Sequence, residues 1–546
     1  MRLTRRTHLS LALLAAAALY IALTALALQR AATDNGIVYA LDDVYIHMAL
    51  AKNLALHGVW GVTPWETTNA SSSPLWVAIL TVGFVVGGIA AWLPLLLAGL
   101  SSLLVLAVAL RCLRAASDDT RFATAIGAIA LLSIVVFASL PALTLQGMEH
   151  PLHAALMLAA AFAISRLASG GALPSLVGYA LLIAALPLLR YESLWLVALG
   201  AAVLAMRRRY TLAALTLACG ILPIIGFGLW AMTHGQTFLP AAILTKSLGP
   251  AWLAHDDLRR LVARFTWHPL QRIWSVPVLL VLWLAACGVL AIRLAQLRQR
   301  ILASRWLVLL GLFADGTWIH ATFATFGWGG RYEAYLIVLG IVGMACWVMQ
   351  GDERRAIAAL LAKPAWRIGG IVVVACLSVA FVYTGGARLW ITTRNAIVAT
   401  EEVRDRDLFV AHFLADAFPQ QSVMAMNVGA IAWTGEPHLT DVLALGSPEV
   451  LRLFLRGQLD PASLDRIAAA REVKVATIFD AWFAEWTGGP APWIAVAEID
   501  PQAQRKLNYT LYARTDADAR VLAERLKAYR PQPQFRSTIR LLPPFQ

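Results

Sequence analysis

The chain has 546 residues, of which 59% are hydrophobic and only 14% are charged. Soluble globular proteins carry roughly a quarter charged residues, so this composition excludes a soluble protein and indicates one that crosses a membrane many times. A net charge of +13 could suit a nucleic-acid binder, but here Lys and Arg cluster in short stretches beside apolar runs. That placement is what the positive-inside rule predicts for cytoplasmic loops, so it argues against nucleic-acid binding.

Apolar runs predict about eleven membrane-spanning helices, since a helix needs ~20 residues to cross the hydrocarbon core. The first run follows "MRLTRR" and is long enough to span, and the residues after it make a poor cleavage site. It is therefore predicted to be a first helix and not a signal peptide. The predicted spans are residues 8–29, 92–112, 122–143, 150–167, 173–189, 192–206, 211–231, 273–293, 304–322, 332–349 and 367–386.

Residues 74–91 are apolar enough to form a twelfth span. A twelfth crossing would place the later basic loops "RRRY" and "RLAQLRQR" on the outer side, against the positive-inside rule. We therefore predict that residues 74–91 form an outer helix that does not cross fully. This topology places the N-terminus in the cytoplasm and the C-terminus outside.

From about residue 388 the charge content becomes ordinary, and strand-like and helix-like runs alternate. "SVMAMNVGAIAW", "VKVATIFDAWF", "PWIAVAEI" and "YTLYAR" predict strands, whereas "DPASLDRIAAAR" and "DADARVLAERLKAY" predict helices. We predict a transmembrane domain at 1–387, with a first outer loop at 30–73, and an extracytoplasmic α/β domain at 388–546. Four tryptophans of this domain are predicted to lie in its core and not on a sugar-stacking surface: Trp433, Trp482, Trp486 and Trp493.

Two adjacent acids, Asp42 and Asp43, follow the first predicted span on the outer side. Neighbouring side chains on a helix point about 100° apart, so one carboxylate can face a reaction centre while the other orients a group. His47 lies one turn after Asp43 and shares its face, where it can orient that carboxylate or touch a phosphate. The alternative is that the pair caps the predicted helix 44–56, whose apolar stripe indicates an interfacial helix.

Three basic residues on the outer side are candidates for binding a phosphate. Arg331 follows "FGWGG", and glycines let the backbone approach an anion closely while Arg suits phosphate geometry. Its alternative role is that of an interfacial Arg that snorkels. Lys246 and Arg190 are the other two candidates. Glu149 and His150 resemble a metal pair, but no third ligand has a defined spacing, so the sequence predicts no metal site.

The order of these segments resembles a known family. After the first span come "LDDVYIHMALAKNLALHG", "TTNASSSPLW", "GMEHPLHAAL", "LRYESLW" and "GWGGRYEAYL", and the α/β segment contains "NVGAIAW" and "HLTDVLALG". This series is similar to that of GT-C fold glycosyltransferases, integral membrane enzymes that use polyprenyl-phosphate-linked sugars. Within that class it is most similar to bacterial arabinofuranosyltransferase-like proteins. The resemblance covers most of the chain.

The resemblance implies an inverting transfer of a sugar, such as arabinofuranose, to a glycan, lipid or protein on the outer side of the bacterial inner membrane. Asp42 or Asp43 would be the catalytic base, with Asp42 preferred because it precedes the helix. Arg331, then Lys246, then Arg190 would hold the donor phosphate. No organic cofactor is implied, because the lipid-linked sugar is a substrate, and a divalent metal is left open. Further substrate contacts are expected from His47, Glu149, His150, Glu192, His320 and Glu333.

Two other classes of membrane protein are alternatives. A polymerase or ligase of polyprenyl-pyrophosphate-linked glycans also carries outer Arg and His residues, but it does not need acids directly after the first span. A lipid-linked sugar transporter predicts inverted repeats and charges near the bilayer midplane. The sequence shows no such repeat, and the midspan positions are apolar except for Asp315. The sugar, the acceptor and the choice between Asp42 and Asp43 stay open at this point.

Overall fold

The computed structural model describes residues 5–31, 36–117, 120–247, 258–297, 304–351, 355, 364–502 and 508–546. These residues divide into two compact units. Unit 1 comprises Met1–Leu28, Leu95–Ile224 and Asp256–Asn395. Unit 2 comprises Gln29–Pro94, Ile225–His255 and Ala396–Gln546.

Helices make up most of the described chain. They are α1 Arg5–Ala31, α2 Asp42–His57, α3 Pro74–Gly87, α4 Leu93–Ala116, α5 Arg121–Phe137, α6 Leu140–Leu145, α7 His150–Ala168, α8 Leu176–Leu189, α9 Leu194–Met206, α10 Tyr210–Thr233, α11 Ala241–Ser247, α12 Leu258–Phe265, α13 Trp267–Trp274, α14 Pro277–Leu297, α15 Arg305–Phe323, α16 Ala334–Val348, α17 Pro364–Glu402, α18 Phe409–Ala417, α19 Gly429–Thr434, α20 Pro448–Leu455, α21 Pro461–Ala470, α22 Asp480–Thr487 and α23 Asp516–Ala528. A short 3₁₀ turn covers Tyr191–Ser193, and a π-helical turn, Val403–Leu408, joins α17 to α18.

Seven helices in the described residues are long and apolar enough to cross a membrane. They are His8–Ala31, Leu93–Ala116, His150–Ala168, Tyr210–Thr233, Pro277–Ala295, Arg305–Phe323 and Ile368–Ala417. Four further predicted spans, 122–143, 173–189, 192–206 and 332–349, correspond to shorter apolar helices of 10–17 residues. The chain is therefore a multi-pass membrane protein, as its composition predicts.

The predicted span 122–143 is not one helix. It breaks between α5 and α6, where Ser139 adopts a φ of +54° and Pro141 occupies the first turn of the new helix. Proline has no backbone N–H to donate and its ring crowds the preceding turn, so a single continuous helix is not favoured there.

The ambiguous segment 74–91 forms helix α3, which has 14 residues and ends at Gly88 with a φ of +81°. Fourteen residues extend about 21 Å. This is shorter than the ~30 Å hydrocarbon core, but α8 and α9, which correspond to predicted spans, have only 14 and 13 residues. That α3 does not cross fully therefore stays a prediction from the basic loops.

Helix α16 lies in the core of unit 1. All its residues but Met344 and Val348 are buried, including Leu336, Ile337 and Leu339 at 0% exposure. A Cβ atom on Gly340 would come within 2.8 Å of the Phe313 ring of α15. Small residues let membrane helices approach closely, so Gly340 permits the tight packing of α15 and α16.

Unit 2 contains a six-stranded mixed sheet with the order β2-β1-β3-β5-β4-β6. Strand β1 pairs in parallel with β2 and with β3, whereas the other three pairings are antiparallel. The strands are β1 Ser422–Ala425, β2 His438–Asp441, β3 Val475–Ile478, β4 Ile494–Asp500, β5 Tyr509–Ala513 and β6 Thr538–Leu541. This is the α/β region that the sequence predicts.

Several predicted elements of this region have different bounds. "SVMAMNVGAIAW" is strand β1 followed by helix α19, and "VKVATIFDAWF" is strand β3 followed by helix α22. The helices at 461–470 and 516–528 are confirmed, and α21 begins with a capping box between Asp460 and Ser463. The boundary proposed at 388 falls inside the continuous helix α17.

The four tryptophans of the α/β region mostly pack as predicted. Trp493 is buried, Trp486 stacks on Phe454, and Trp433 stacks on Phe84 of α3. Trp482 is the exception, because 41% of its surface is exposed.

Candidate active site

Helix α2 carries the predicted acid pair. It begins at Asp42, with Leu41 in extended geometry at the N-cap position, so it starts two residues earlier than predicted. It ends at Gly58, whose φ of +69° and N–H bond to the Leu54 carbonyl form a left-handed C-cap. Residues 44–53 are all buried. The interfacial helix expected from the apolar stripe is therefore wrong, because α2 packs against α3 and α19 within unit 2.

The Asp42 carboxylate caps a different helix from its own. Its Oδ2 accepts a hydrogen bond from the Gly429 N–H at 2.9 Å, and its Oδ1 accepts one from the Ala430 N–H at 2.8 Å. These two amides begin helix α19, where N–H groups lack partners within the helix. The prediction that the acid pair caps its own helix is therefore not met: Asp42 and Asp43 lie in the first turn of α2, but among the described residues no side chain bonds to its N-cap end. The cap that Asp42 forms is on α19, in the C-terminal region of unit 2.

Lys52 holds the other end of α19. Its buried Nζ donates to the carbonyls of Ala432 and Trp433, each at 3.0 Å. Asp42 and Lys52 thus place a negative charge at the N-terminal end of α19 and a positive charge at its C-terminal end. Both charges oppose the partial charges of the helix dipole.

Gly429 allows α2 and α19 to approach closely. A Cβ atom at this position would lie 2.3 Å from the Asp42 carbonyl oxygen and 2.7 Å from the Ile46 nitrogen. Any other residue would push the two helices apart, so glycine is required by the contact.

A second carboxylate, Asp407, influences Asp42. Asp407 lies on the π-helical turn and accepts hydrogen bonds from Arg406 at 2.8 Å, Asn427 at 3.0 Å and the Tyr509 hydroxyl at 2.8 Å. Burial raises the pKa of Asp42 to about 7, with a further upward contribution from the Asp407 charge, although the bonds from α19 act in the opposite direction. A carboxylate with a pKa near neutrality is suited to accept a proton in a reaction.

Asp43 and His47 accompany Asp42 on α2. Asp43 is half-buried and also contributes to the raised pKa of Asp42. His47 is buried, one turn after Asp43 on the same helix. Asp42, Asp43 and His47 therefore all lie on the first half of α2 in unit 2.

In unit 1, Arg190 is held by two carboxylates. Its Nε and Nη2 donate to the two oxygens of Glu192 at 2.9 and 2.5 Å, and its Nη1 donates to Glu149 at 2.9 Å. The structure thus places Glu149 and Glu192 around one guanidinium. Two carboxylates more than neutralise that cation, which weakens Arg190 as a phosphate ligand.

Arg331 lies beside the same cluster. It is buried, and its guanidinium lies 5.0 Å from the centre of the Tyr332 ring, while that of Arg190 lies 5.2 Å from the same ring. His150 also contacts Tyr332, with the ring centres 5.8 Å apart. Both guanidinium groups and the His150 ring therefore contact Tyr332. Sequence reasoning missed this residue, because nothing but its place next to Arg331 marks it.

The glycine-rich turn before Arg331 has a defined shape. Gly327, Gly329 and Gly330 have φ values of +100°, +74° and +75°, a region that glycine enters without strain. The carboxylate of Glu333 accepts from the Gly327 N–H at 2.9 Å and from Arg388 at 2.6 Å.

Two further bonds hold this turn through its carbonyls. Arg388 donates to the Gly330 carbonyl at 2.5 Å, and Gln146 donates to that of Gly329 at 2.9 Å. Glu333 is thus engaged in shaping the turn that carries Arg331. Sequence reasoning missed Arg388, since it lies on a predicted domain boundary without a local motif.

His320 lies in a buried chain of hydrogen bonds. Its Nδ1 lies 2.9 Å from the Tyr335 hydroxyl, which accepts from the Trp195 N–H at 2.9 Å. Its Nε2 lies 3.3 Å from the Thr325 carbonyl. These contacts fix the imidazole inside unit 1.

Lys246 and the neighbours Glu149 and His150 are the remaining predicted site residues. Lys246 lies in helix α11, but its side chain is outside the described residues. Among the described residues, no group of three or more His, Cys, Asp or Glu side chains is arranged to hold a metal ion. Glu149 and His150 are neighbours, and Glu149 pairs with Arg190.

Comparisons with known proteins bear on the fold. No curated protein matches the chain. Residues 395–521 match a family described as a domain of unknown function, DUF8728. The structure is similar to a crystal structure of ArnT from Cupriavidus metallidurans bound to undecaprenyl phosphate, with a TM-score of 0.50, 14% identity, and coverage of 92% of this chain and 98% of that chain. The apo structure of the same ArnT gives a TM-score of 0.48 with the same identity and coverage.

The chain has the GT-C fold. The likeness to ArnT extends over almost the whole of both chains, which confirms the polytopic helical architecture with an α/β region that the resemblance implies. The DUF8728 match lies within unit 2 apart from its first residue, and it includes Asp407, Gly429 and Ala430.

Proposed function

We propose that this protein is an inverting glycosyltransferase that moves a sugar from a polyprenyl-phosphate donor to an acceptor hydroxyl at the outer face of a bacterial inner membrane. The observation that carries the proposal is the fold, shared with an ArnT that was crystallised with undecaprenyl phosphate. The acid pair at the start of α2 supports it, because such a reaction needs a base near the membrane surface.

The proposed base is Asp42. Its carboxylate removes the proton of an acceptor hydroxyl, and the acceptor oxygen forms a bond to C1 of the donor sugar. The bond between C1 and the phosphate oxygen breaks, and polyprenyl phosphate leaves with the electron pair, which inverts the configuration at C1. A pKa near 7 suits this step, because a base works best when its pKa lies close to the operating pH.

The proposed ligand of the donor phosphate is Arg331. Its place directly after a turn of three left-handed glycines, fixed by Glu333 and Arg388, gives the guanidinium a defined position. Positive side chains can stabilise the leaving phosphate, which is already a stable anion. Arg190 is a weaker candidate, because Glu149 and Glu192 already neutralise it.

Transfer assays in membranes test the proposal. A panel of radiolabelled polyprenyl-phosphate sugars, with arabinofuranose first and mannose, glucose and an amino-arabinose beside it, would be offered to the wild type, Asp42→Asn and Asp43→Asn. We expect the wild type to consume one donor and Asp42→Asn to lose turnover while still binding that donor.

Two other results have clear meanings. If only Asp43→Asn loses turnover, Asp43 is the base, and Asp42 serves only to cap helix α19. If the wild type consumes no donor from the panel, the transferase proposal fails in favour of a ligase, a polymerase or a transporter.

A further inference from the structure

We infer that the α19 segment of the C-terminal α/β region is a positioning element for the catalytic carboxylate on α2. The backbone N–H groups of Gly429 and Ala430 hold Asp42, so a domain of unknown function takes part in sugar transfer. The inference rests on the proposed function, because it assigns the support of that same base.

The Asp42 carboxylate is held at both of its oxygens. Each oxygen of Asp42 accepts one backbone N–H, at 2.9 Å from Gly429 and 2.8 Å from Ala430. A carboxylate bonded through one oxygen can rotate about χ2, whereas one bonded through both cannot. The orientation of Asp42 is therefore set by residues 387 and 388 positions away along the chain.

Helix α19 is also fixed at both ends by α2. Lys52 donates to the carbonyls of Ala432 and Trp433 at 3.0 Å, so α19 cannot shift along α2 without breaking bonds at either end. Gly429 brings the two backbones into contact, where a Cβ atom would lie 2.3 Å from the Asp42 carbonyl oxygen. The pair α2 and α19 behaves as one packed element.

Side-chain hydrogen bonds connect the start of α19 to the sheet. Asn427, two residues before Gly429, donates to Asp407 at 3.0 Å, and Tyr509 of β5 donates to the same carboxylate at 2.8 Å. Arg406 pairs with Asp407 and lies 4.9 Å from the centre of the Phe479 ring. The loop that delivers the two amides is thus anchored to the core of the α/β region.

The charged surroundings of Asp42 come from few elements. Helices α3 and α19, which pack against α2, contain no ionisable side chain. The groups that act on Asp42 or on its partners are Asp43 and Tyr45 of α2, Asp407 and Arg406 of the π-helical turn, and Tyr509 of β5. Asp407 is the strongest of the charges, and it also holds Asn427 in the loop before α19. Replacing Asp407 therefore tests the electrostatic support of Asp42 together with the anchoring of that loop.

The geometric test compares two glycines of one helix in the full-length protein in lipid nanodiscs. Gly429→Ala places a methyl group between α19 and α2. Gly435→Ala at the other end of α19 is the matched control, because its Cβ would have 3.5 Å to the nearest atom and its φ of −130° suits any residue. We expect kcat to fall about 10- to 100-fold in Gly429→Ala with the donor KM within twofold of the wild type, and Gly435→Ala to keep wild-type kinetics.

Asp407→Asn covers the case in which Gly429→Ala fails to fold. Removing the Asp407 charge lowers the pKa of Asp42, so the acid limb of the pH profile of kcat/KM should move to lower pH. The control is Asp416→Asn, an exposed residue on α18, which should leave the profile in place. A folded Gly429→Ala with wild-type kcat, or an unmoved profile in Asp407→Asn, would overturn the inference.

A readout without substrate separates this inference from the proposed function. The raised pKa means that the folded state binds a proton at Asp42 more tightly than the unfolded state, so stability falls as pH rises from about 4 to about 7. This part of the fall should shrink in Asp407→Asn and be absent in Asp42→Asn. In Gly429→Ala it should extend to higher pH, because the N–H bonds from α19 that lower the pKa of Asp42 are lost. If the wild type consumes no donor but the fall behaves in this way, the proposed function fails and the support of Asp42 stands; an unchanged fall refutes the support as well.

Discussion

At the scale of single residues, Asp42 shows how burial and neighbouring charge prepare a carboxylate for proton transfer. Its pKa is raised to about 7, first by burial and then by Asp407. Two backbone N–H bonds stabilise the ionised form but do not offset those effects. An ordinary surface aspartate, with a pKa near 3.9, would be a much poorer proton acceptor at neutral pH.

The pH dependence of transfer follows from this pKa. Below about pH 7 the Asp42 carboxylate becomes protonated, so kcat/KM should fall about tenfold per pH unit on the acid side. In Asp42→Asn the rate should drop about 10²- to 10⁴-fold and the acid limb should disappear. The measurement is kcat/KM from pH 5 to 9 in nanodiscs; a flat wild-type profile would contradict Asp42 as the base.

Arg190 illustrates a residue whose expected role changes with its surroundings. Its guanidinium contacts Glu149 and Glu192 within unit 1, at 2.9 Å and 2.5 Å. Arg190→Gln should leave two carboxylates without their cation and destabilise the fold by about 3–5 kcal/mol, as is typical of broken buried pairs.

Thermal unfolding in detergent checks this prediction. Glu192→Gln added to Arg190→Gln should recover part of the lost stability, since fewer uncompensated charges remain. If Arg190→Gln unfolds at the wild-type temperature but loses donor affinity, the cation acts on the phosphate after all.

At the scale of elements, the turn before Arg331 depends on crowding as well as on backbone conformation. Gly327→Ala and Gly330→Ala both force a side chain into positive φ, at a cost of roughly 1–2 kcal/mol. Only Gly330→Ala also meets side chains, with its Cβ 2.8 Å from Arg388 Nη2 and 2.9 Å from Thr392 Cγ2. Around Gly327 nothing lies within 4 Å.

Gly330→Ala should therefore raise the donor KM more than Gly327→Ala does. The new methyl group displaces Arg388, and with it Arg331, the residue directly after Gly330. The comparison is made by steady-state kinetics with the donor found in the panel assay. Equal effects of the two substitutions would mean that the position of Arg331 does not depend on the Arg388 contact.

Local sequence patterns predicted individual helices and strands, but they did not predict the contacts between them. The Asp-Pro start of α21 and the alternating pattern of β5 were enough to predict those elements. β2 and β6 were missed, although β1 and β3 have the same length of four residues. β1 and β3 lie in longer apolar runs that continue into the helices after them, whereas β2 and β6 do not. The break at Ser139 was missed because apolar composition hides a proline-initiated helix inside an apparent span.

The candidate site shows the same limit. The sequence predicted Asp42, Glu149, Arg190, Glu192 and Arg331 from charge next to apolar runs. It did not predict that Asp42 contacts Gly429 or that Glu333 contacts Arg388, because those partners lie far along the chain. No spacing rule connects such positions. Only the structure shows that Asp42 caps α19 and that Glu333 holds the turn before Arg331, the proposed phosphate ligand.

At the scale of the whole molecule, the orientation in the membrane is a prediction from charge. The basic stretches "MRLTRR", "RRRY" and "RLAQLRQR" all fall on one side when eleven crossings are assumed. Basic loops remain in the cytoplasm because they are retained during insertion, whereas Asp and Glu contribute little to orientation. The first outer loop and the α/β region then both lie outside.

Reporter fusions test this orientation in a bacterial host. Alkaline phosphatase, which is active only outside the cytoplasm, should be active when fused after residue 546 and inactive when fused after residue 208 within "RRRY". Green fluorescent protein at the same two positions should give the opposite pattern. A donor whose lipid tail lies in the bilayer presents its phosphate at one membrane surface, and the base must be at that surface. An active phosphatase at residue 208 would therefore put the basic loops outside and require the even number of crossings that a membrane-spanning α3 would supply.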